Sequence, residues 1–150
     1  VATATDRRWK RCDIKSVALL GNVLHMMEGV DAGADETILF NEDGELTEAA
    51  ACNVFIVQNK TVATPPLDIE KLPGVTRNML IDILRNEGWN VEERTVTRTE
   101  VMAADEVWLT SSTKEVAPVI AIDGQSVNDG KPGEVWTAAQ SLFAHHRFNA

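Results

Sequence analysis

Asn53-Val54-Phe55-Ile56-Val57 and Thr61-Val62-Ala63-Thr64 are two short apolar runs, and Asn59-Lys60 lies between them. Both runs are rich in β-branched or aromatic residues, which is typical of β-strands. Asparagine also tolerates the backbone conformations that tight turns require. The pattern predicts two strands joined by a tight turn, and strands joined in this way run antiparallel.

Other strands are predicted on both sides of this hairpin. Asp43-Gly44 is a strong hairpin signal between the strand Thr37-Ile38-Leu39-Phe40 and a return strand that begins at Glu45-Leu46-Thr47. Three later segments have strand composition: residues 91–96, residues 106–109, and residues 116–122, the last paired with Val127 across Asp123-Gly124.

Helices are predicted where apolar residues recur at spacings of three and four. Residues 16–32 form the first, closed by Gly33, with a buried face made of Val17, Leu20, Val23, Leu24, Met27 and Val30. Residues 75–87 form the second, which ends at Gly88. Its inner face would carry Met79, Leu80, Ile83 and Leu84.

Two further helices are indicated by their N-terminal signals. Thr97 with Glu100 is a capping box for a short helix that runs to Ala104. Pro132-Gly133 opens the last helix, whose core-facing residues would be Val135, Ala138, Ala139, Leu142 and Phe143. The elements together predict an α+β domain, a mostly antiparallel sheet or pseudo-barrel with helices packed on it. The chain lacks both βαβ alternation and the GxGxxG motif, so a doubly wound dinucleotide-binding sheet is not expected.

Composition limits the partners of the chain. It has 150 residues, of which 44% are hydrophobic, and a net charge of −9. That charge argues against nucleic acid or an anionic membrane surface as a partner, because both require a basic patch. Cys12 and Cys52 match no metal or redox spacing, which favours two reduced thiols in a cytoplasmic protein. His145-His146 has no third ligand at a metal-binding spacing, so no metal site is expected.

Lys15 is the strongest candidate for a catalytic residue. In Arg11-Cys12-Asp13-Ile14-Lys15-Ser16 it lies where the chain enters the core, between Ile14 and an apolar helix. Partial desolvation there favours the neutral amine, which is a nucleophile. The remaining lysines fall in polar or turn contexts, at Lys10, Lys60, Lys71, Lys114 and Lys131. A solvated surface lysine is the alternative interpretation.

Glu48 is the candidate carboxylate of the site. It precedes the four small residues Ala49-Ala50-Ala51-Cys52, which would let a flat ring lie close to the backbone. A carboxylate beside a pyridine nitrogen favours the protonated ring. The alternative is a solvated glutamate on an acidic loop.

Two loops rich in small residues are candidate phosphate sites. Gly74-Val75-Thr76-Arg77 begins a predicted helix, where free N–H groups and the helix dipole attract an anion. Thr110-Ser111-Ser112-Thr113 follows a predicted strand and offers hydroxyl and N–H donors. A lysine that forms a Schiff base, a carboxylate for the ring nitrogen and phosphate-binding loops are the parts that hold pyridoxal 5'-phosphate.

These motifs, in this order, resemble those of the class IV aminotransferases, the fold-type IV pyridoxal phosphate enzymes, from about Arg8 to Phe143. The likeness is greatest to the D-amino acid aminotransferases. Arg8 to Ser16 is similar to the lysine motif, and Thr47-Glu48 with Asn53-Val54-Phe55 to the cofactor-nitrogen motif. Leu72-Pro73-Gly74-Val75-Thr76-Arg77 and the segment from Thr110 to Val119 are similar to the phosphate-side loops. Ala49-Ala50-Ala51-Cys52 departs from the glycine and serines that the D-amino acid enzymes tend to have there.

The resemblance implies a role for each of these residues. Lys15 would carry the Schiff base and move the proton, Glu48 would bind the pyridinium nitrogen, and Leu72 would pack against the ring. The phosphate would be held by Gly74, Val75, Thr76, Ser111 and Ser112. The implied reaction transfers an amino group between an amino acid, D-alanine-like, and a 2-oxo acid, in a homodimer.

The resemblance also implies that this chain is the larger, C-terminal domain and that a smaller N-terminal domain is absent. That domain would supply a phosphate-binding arginine and most of the substrate pocket, so little activity is expected from the chain alone. Three alternatives remain: an aminodeoxychorismate lyase, a branched-chain aminotransferase, and a domain without catalytic activity.

Overall fold

A computed structural model describes residues 1–8, 11–12, 20–68 and 71–147. The strands are β1 (Ala2–Thr5), β2 (Thr37–Phe40), β3 (Leu46–Ala49), β4 (Asn53–Gln58), β5 (Thr61–Thr64), β6 (Val91–Glu93), β7 (Glu106–Ser111), β8 (Glu115–Val119), β9 (Ala121–Ile122) and β10 (Gln125–Ser126). The helices are α1 (Leu20–Asp31), α2 (Val75–Asn86), α3 (Arg98–Ala103) and α4 (Glu134–Arg147).

The strands form two larger sheets and one small ribbon. The central sheet has the order β6-β5-β4-β7-β8, and only its β5–β6 pair is parallel. A second sheet has the order β1-β2-β3, and β9 pairs with β10. The predicted α+β class with mostly antiparallel strands is therefore confirmed.

The central sheet separates two apolar cores, as the two-residue period of a strand allows. Along β7, Val107 and Leu109 face one core, shared with β2, β3 and α3. Trp108 faces the other core, where it packs with Leu80 and Leu84 of α2 and with Phe143 of α4. Each face of the sheet thus has its own set of helices, and the sheet holds them in place.

The structure contains most of the hairpins and helix caps that the sequence predicts. Thr97 and Glu100 form the full capping box of α3, and Gly88, with a φ of 83°, follows α2. β6 is shorter than predicted, since it ends at Glu93. The segment predicted as one strand over residues 116–122 is divided into β8 and β9. β1 was not predicted, because its four residues gain strand structure only by pairing with β2.

The predicted buried face of the first helix is wrong. Residues 16–19 lie outside the described residues, and the helix is described from Leu20. Its large apolar side chains are exposed: Leu20, Val23, Leu24, Met27 and Val30. The helix instead packs through His25 and Gly29, where a Cβ on Gly29 would lie 2.3 Å from Thr37 Oγ1. Small residues permit this close approach, so the apolar stripe, here named the α1 apolar face, points away from the sheet.

Glu106 fixes the start of α4. Its carboxylate accepts hydrogen bonds from the backbone N–H of Val135 at 3.1 Å and of Trp136 at 2.8 Å. It also accepts one from Trp108 Nε1 at 3.2 Å. The first turn of a helix has free N–H groups and a positive dipole end, so a carboxylate there is stabilising. Within the described ranges, every helix is too short or too polar to cross a bilayer.

We predict that Glu106→Ala lowers the free energy of unfolding by about 1–3 kcal/mol, because one buried and two part-buried donors lose their acceptor. Chemical denaturation monitored by circular dichroism measures this change. Glu134→Gln is the matched control, since Glu134 is an exposed carboxylate in the first turn of the same helix. Equal stability of the two variants would show that Glu106 does not anchor α4.

Candidate active site

A cavity of about 650 Å³ opens between α1, the loop after β3, the start of α2 and the end of β7. Every predicted site residue that the structure describes contributes to its wall: Glu48, Leu72, Gly74, Val75, Thr76, Ser111 and Ser112. These residues are spread over more than sixty positions of sequence, and folding brings them to one place. Lys15, the predicted catalytic residue, lies outside the described residues.

Glu48 is the buried centre of this site. It is the third residue of β3, and its carboxylate accepts hydrogen bonds on both oxygens. Oε1 accepts from Arg8 Nη1, while Oε2 accepts from the backbone N–H of Leu72 at 3.0 Å and from Asn53 Nδ2 at 3.2 Å. The alternative interpretation, a solvated loop glutamate, is therefore wrong.

Arg8 is the cationic partner of Glu48, and its side chain is only 2% exposed. It donates to Asp6 through Nε at 3.0 Å and through Nη2 at 2.8 Å. The Thr47 hydroxyl donates to the same aspartate at 2.8 Å. One guanidinium thus joins two carboxylates, so that the segment after β1 is tied to β3. A planar guanidinium suits such an arrangement, because its donors form a rigid fork.

The protonation of these groups follows from burial and pairing. Burial raises the pKa of Glu48 to about 7, although the charge and hydrogen bond of Arg8 act to lower it. Burial would also raise the pKa of Asp6, but the hydrogen bonds and charge of Arg8 hold it below its ordinary value. Arg8 remains a cation, because Asp6 and Glu48 together raise its pKa against the opposing effect of burial. Glu48 is therefore poised to change its charge near neutral pH.

The start of α2 forms a second part of the cavity wall. Gly74 is the N-cap residue and supplies no side-chain cap to the first turn. A Cβ at Gly74 would lie 2.3 Å from Asn53 Oδ1, so a larger residue here would require the hydrogen-bonded Asn53 side chain to move. Val75 and Thr76 follow it along the cavity wall. An uncapped helix start of this kind has N–H donors available for an anion.

Asn53 and Arg77 hold this helix start in place. Asn53 Nδ2 donates to the Leu72 carbonyl at 3.0 Å as well as to Glu48, so it couples the two parts of the wall. Arg77, only 2% exposed, donates through Nη2 to the Pro65 carbonyl at 3.0 Å and to Glu93 Oε1 at 2.8 Å. The first turn of α2 is therefore fixed against the central sheet.

The third part of the wall is the end of β7 and the turn after it. Thr110 and Ser111 lie in the strand, and not in a loop as predicted, while Ser112 begins the turn. Ser111 Oγ accepts from the Lys114 N–H at 3.0 Å and fixes the turn. Thr110 is 1% exposed, and its hydroxyl oxygen contacts no hydrogen-bond partner among the described residues.

The small residues after Glu48 contribute to the wall as well. Ala50, Ala51 and Cys52 line the cavity, and Asn22 Nδ2 of α1 donates to the Ala50 carbonyl at 2.7 Å. Cys52 Sγ donates to Glu36 Oε2 at 3.4 Å. Burial, together with the nearby Glu36 carboxylate, raises the pKa of the Cys52 thiol to about 12. This thiol therefore stays protonated and unreactive near neutral pH.

Lys71 is buried, although a polar or turn environment was predicted for it. It is 6% exposed and its Nζ lies 2.5 Å from Asp68 Oδ2. It does not contribute to the wall of the described cavity. Burial alone therefore does not identify a catalytic lysine in this chain.

Several residues that line the cavity were not predicted as site residues from the sequence, above all Arg8, Asn53 and Arg77. Arg8 stands forty residues before Glu48, and no local pattern links the two. Asn53 offered a weak signal, because a polar amide at the start of an otherwise apolar strand needs a partner.

Comparisons with known proteins find relatives of this chain. The family model described as amino-transferase class IV matches residues 1–122. D-alanine aminotransferase of Bacillus licheniformis is 42% identical over 141 residues, which are 94% of this chain and 50% of that protein. The branched-chain amino acid aminotransferase of Thermobaculum terrenum, solved in its PLP form, matches with a TM-score of 0.88 and 27% identity. That match covers 99% of this chain and 50% of the other.

The chain belongs to the class IV amino-transferase family. It spans about half the length of the D-alanine aminotransferases that it matches, 50% for the Bacillus licheniformis protein.

We predict a pH dependence of stability that originates in Glu48. Its pKa is raised from 4.5 to about 7 on folding, so the folded chain binds more protons than the unfolded chain between these values. The stabilisation from Glu48 is thus complete below about pH 4.5 and is lost as pH rises through about 7.

Relative to Glu48→Gln, the wild-type chain should therefore lose about 1–3 kcal/mol of stability between pH 5 and pH 8. Urea denaturation at several pH values measures the difference, with the exposed Glu134→Gln as control. Parallel pH profiles for wild type and Glu48→Gln would contradict the assignment.

Proposed function

We propose that this chain binds pyridoxal 5'-phosphate and takes part in amino transfer between an amino acid and a 2-oxo acid. The main support for this proposal is that the groups expected to bind the cofactor line one cavity. A buried carboxylate held by Arg8 lies in the same wall as an uncapped helix start and two serines. Those groups match the ring nitrogen and the phosphate of the cofactor.

The residues present fit this cofactor. Gly74 lacks the Cβ that would fill the space beside Asn53, and the first turn of α2 lacks a side-chain cap. The cavity volume of about 650 Å³ lies within the usual range for small-molecule sites. Glu48 would hold the ring nitrogen, Leu72 would contact the ring, and Gly74, Val75, Thr76, Ser111 and Ser112 would hold the phosphate. When bound, the cofactor supplies an electron sink for a carbanion next to the amino group.

The chain's own groups have distinct tasks in this proposal. Glu48 keeps a proton on the ring nitrogen, and for that it must be ionised. Arg8 favours the ionised form through its charge and hydrogen bond, which oppose the effect of burial on the Glu48 pKa. Leu72 and Asn53 orient the carboxylate through Oε2. Lys15 would attach the cofactor covalently and move the proton at the reacting carbon.

A D-amino acid similar to D-alanine is the proposed substrate. Support comes from the 42% identity to a protein named D-alanine aminotransferase. Branched-chain aminotransferase is the second candidate, supported by the likeness to solved structures of that name at a TM-score of 0.88. Both activities belong to whole proteins about twice as long as this chain. That the chain is the C-terminal domain of such a protein stays a prediction.

We predict that borohydride reduction of the cofactor-loaded chain labels Lys15, and that Lys15→Ala abolishes the label without loss of the fold. A reducible covalent bond forms only where the amine meets the cofactor carbonyl. Peptide mapping locates the label. In a protein completed with the N-terminal domain that the resemblance implies, D-alanine should change the visible absorbance faster than L-alanine.

Lys71→Met serves as the matched control, because Lys71 is buried yet does not line the described cavity. This variant should label as the wild type does. The proposed function would be contradicted if the label were found on Lys71. It would also be contradicted if added cofactor caused no change in absorbance. A faster change with L-leucine than with D-alanine would favour the branched-chain alternative.

A homodimer in the cytoplasm is also proposed. The α1 apolar face (Leu20, Val23, Leu24, Met27 and Val30) is a contiguous apolar surface, and such surfaces in folded proteins are commonly protein interfaces. The cytoplasm is supported by Cys12 and Cys52, which are both buried thiols.

We predict that Met27→Glu lowers the oligomeric state, because a charge at the centre of the α1 apolar face would be desolvated on association. Sedimentation equilibrium measures the mass. Leu67→Glu is the control, since Leu67 is an exposed apolar residue outside α1. A monomeric wild-type chain would contradict the dimer.

A further inference from the structure

Thr110 has a buried hydroxyl that no group in the described part of the chain satisfies. The residue is 1% exposed, and its Oγ1 has no hydrogen-bond partner among the residues that the structure describes. An unsatisfied buried hydroxyl is destabilising, and native structures contain few of them. The contrast within the same sheet is clear, because the equally buried Thr64 hydroxyl donates to the Val54 carbonyl at 2.7 Å.

Thr110 lies close to the start of α2. Along β7, Thr110 shares a face with Trp108, because alternate residues of a strand face the same way. Trp108 packs against Leu80 and Leu84 of α2. Across the sheet, Thr110 is opposite Asn53, and Asn53 Oδ1 lies against Gly74, the N-cap residue of that helix. Thr110 also contributes to the cavity wall.

We propose that Thr110 is a phosphate-positioning residue: its hydroxyl completes the anion site at the α2 N-terminus by donating to a phosphate oxygen of the bound cofactor. This inference rests on the proposed function. Thr110 lines the cavity, and rotation about its Cα–Cβ bond moves the hydroxyl between staggered positions. The unsatisfied hydroxyl destabilises the ligand-free chain. When a phosphate oxygen accepts its hydrogen bond, that cost is removed, and the affinity for the phosphorylated ligand increases.

A test of this inference uses the near-isosteric variant Thr110→Val. Loss of one hydrogen bond to a charged oxygen should weaken pyridoxal 5'-phosphate about 5- to 10-fold or more. Binding of pyridoxal, which lacks the phosphate, should change less than about 2-fold. The unfolding midpoint of the ligand-free variant should equal or exceed that of the wild type, because valine removes an unsatisfied hydroxyl. Absorbance titration and thermal denaturation measure the two quantities.

Two further variants separate phosphate positioning from a structural role. Thr110→Ser keeps the hydroxyl and should restore affinity for pyridoxal 5'-phosphate to within about 2-fold of the wild type, since the same donor is present. Thr64→Val removes a satisfied hydroxyl, so it should lower the unfolding midpoint and leave the preference for the phosphorylated ligand unchanged. Inorganic phosphate should compete with pyridoxal 5'-phosphate less effectively in Thr110→Val than in the wild type.

The following results would contradict the role of Thr110. Wild-type affinity of Thr110→Val for pyridoxal 5'-phosphate excludes the contact, and equal weakening toward pyridoxal shows an effect unrelated to phosphate. Failure of Thr110→Val to fold would show that the hydroxyl is structural. If the wild-type chain binds no pyridoxal 5'-phosphate, the proposed function fails as well, which distinguishes that failure from the failure of Thr110 alone.

Discussion

The buried ion pair between Arg8 and Glu48 is the interaction on which the arrangement of the site depends. Each ion loses several kcal/mol of hydration on burial, and only close pairing with further hydrogen bonds compensates. Asp6, Leu72 and Asn53 supply those bonds. Because the carboxylate must keep all of these partners, the end of β1, the strand β3 and the loop before α2 are held in one geometry. Removing Arg8 would take the cationic partner away from the buried Glu48, whereas removing Glu48 would leave Arg8 paired with Asp6.

Anion binding in this chain has to overcome an unfavourable net charge. The chain carries −9, so its long-range field repels a phosphate. The cavity counters this locally, because Arg8 and Arg77 both lie in its wall and α2 begins there. Both guanidinium groups are already paired with carboxylates, and the N–H groups of the first turn of α2 are therefore the donors most available to a ligand.

Much of the fold was predictable because its signals are local. The Asp43-Gly44 hairpin, the capping box at Thr97 and the glycine turn at Gly88 after α2 each depend on residues within a few positions of one another. The loops that line the cavity were recognisable for the same reason. What failed depends on distant partners: the pairing of β1, the partners of Arg8, the burial of Lys71, and which face of α1 meets the sheet. Apolar spacing located that helix but not its orientation, since Gly29 and His25 made the closer contact.

Three unfavourable local features in the described part of the chain lie at the cavity. α3 begins with a full capping box and α4 with the Glu106 carboxylate, whereas α2 begins at a glycine that supplies no cap. Thr64 has its hydrogen bond, whereas Thr110 has none among the described residues. Proteins tend to break local rules at functional sites, where a bound partner offsets the cost. The same principle accounts for Glu48, whose burial disfavours the charge that a protonated ring nitrogen would stabilise.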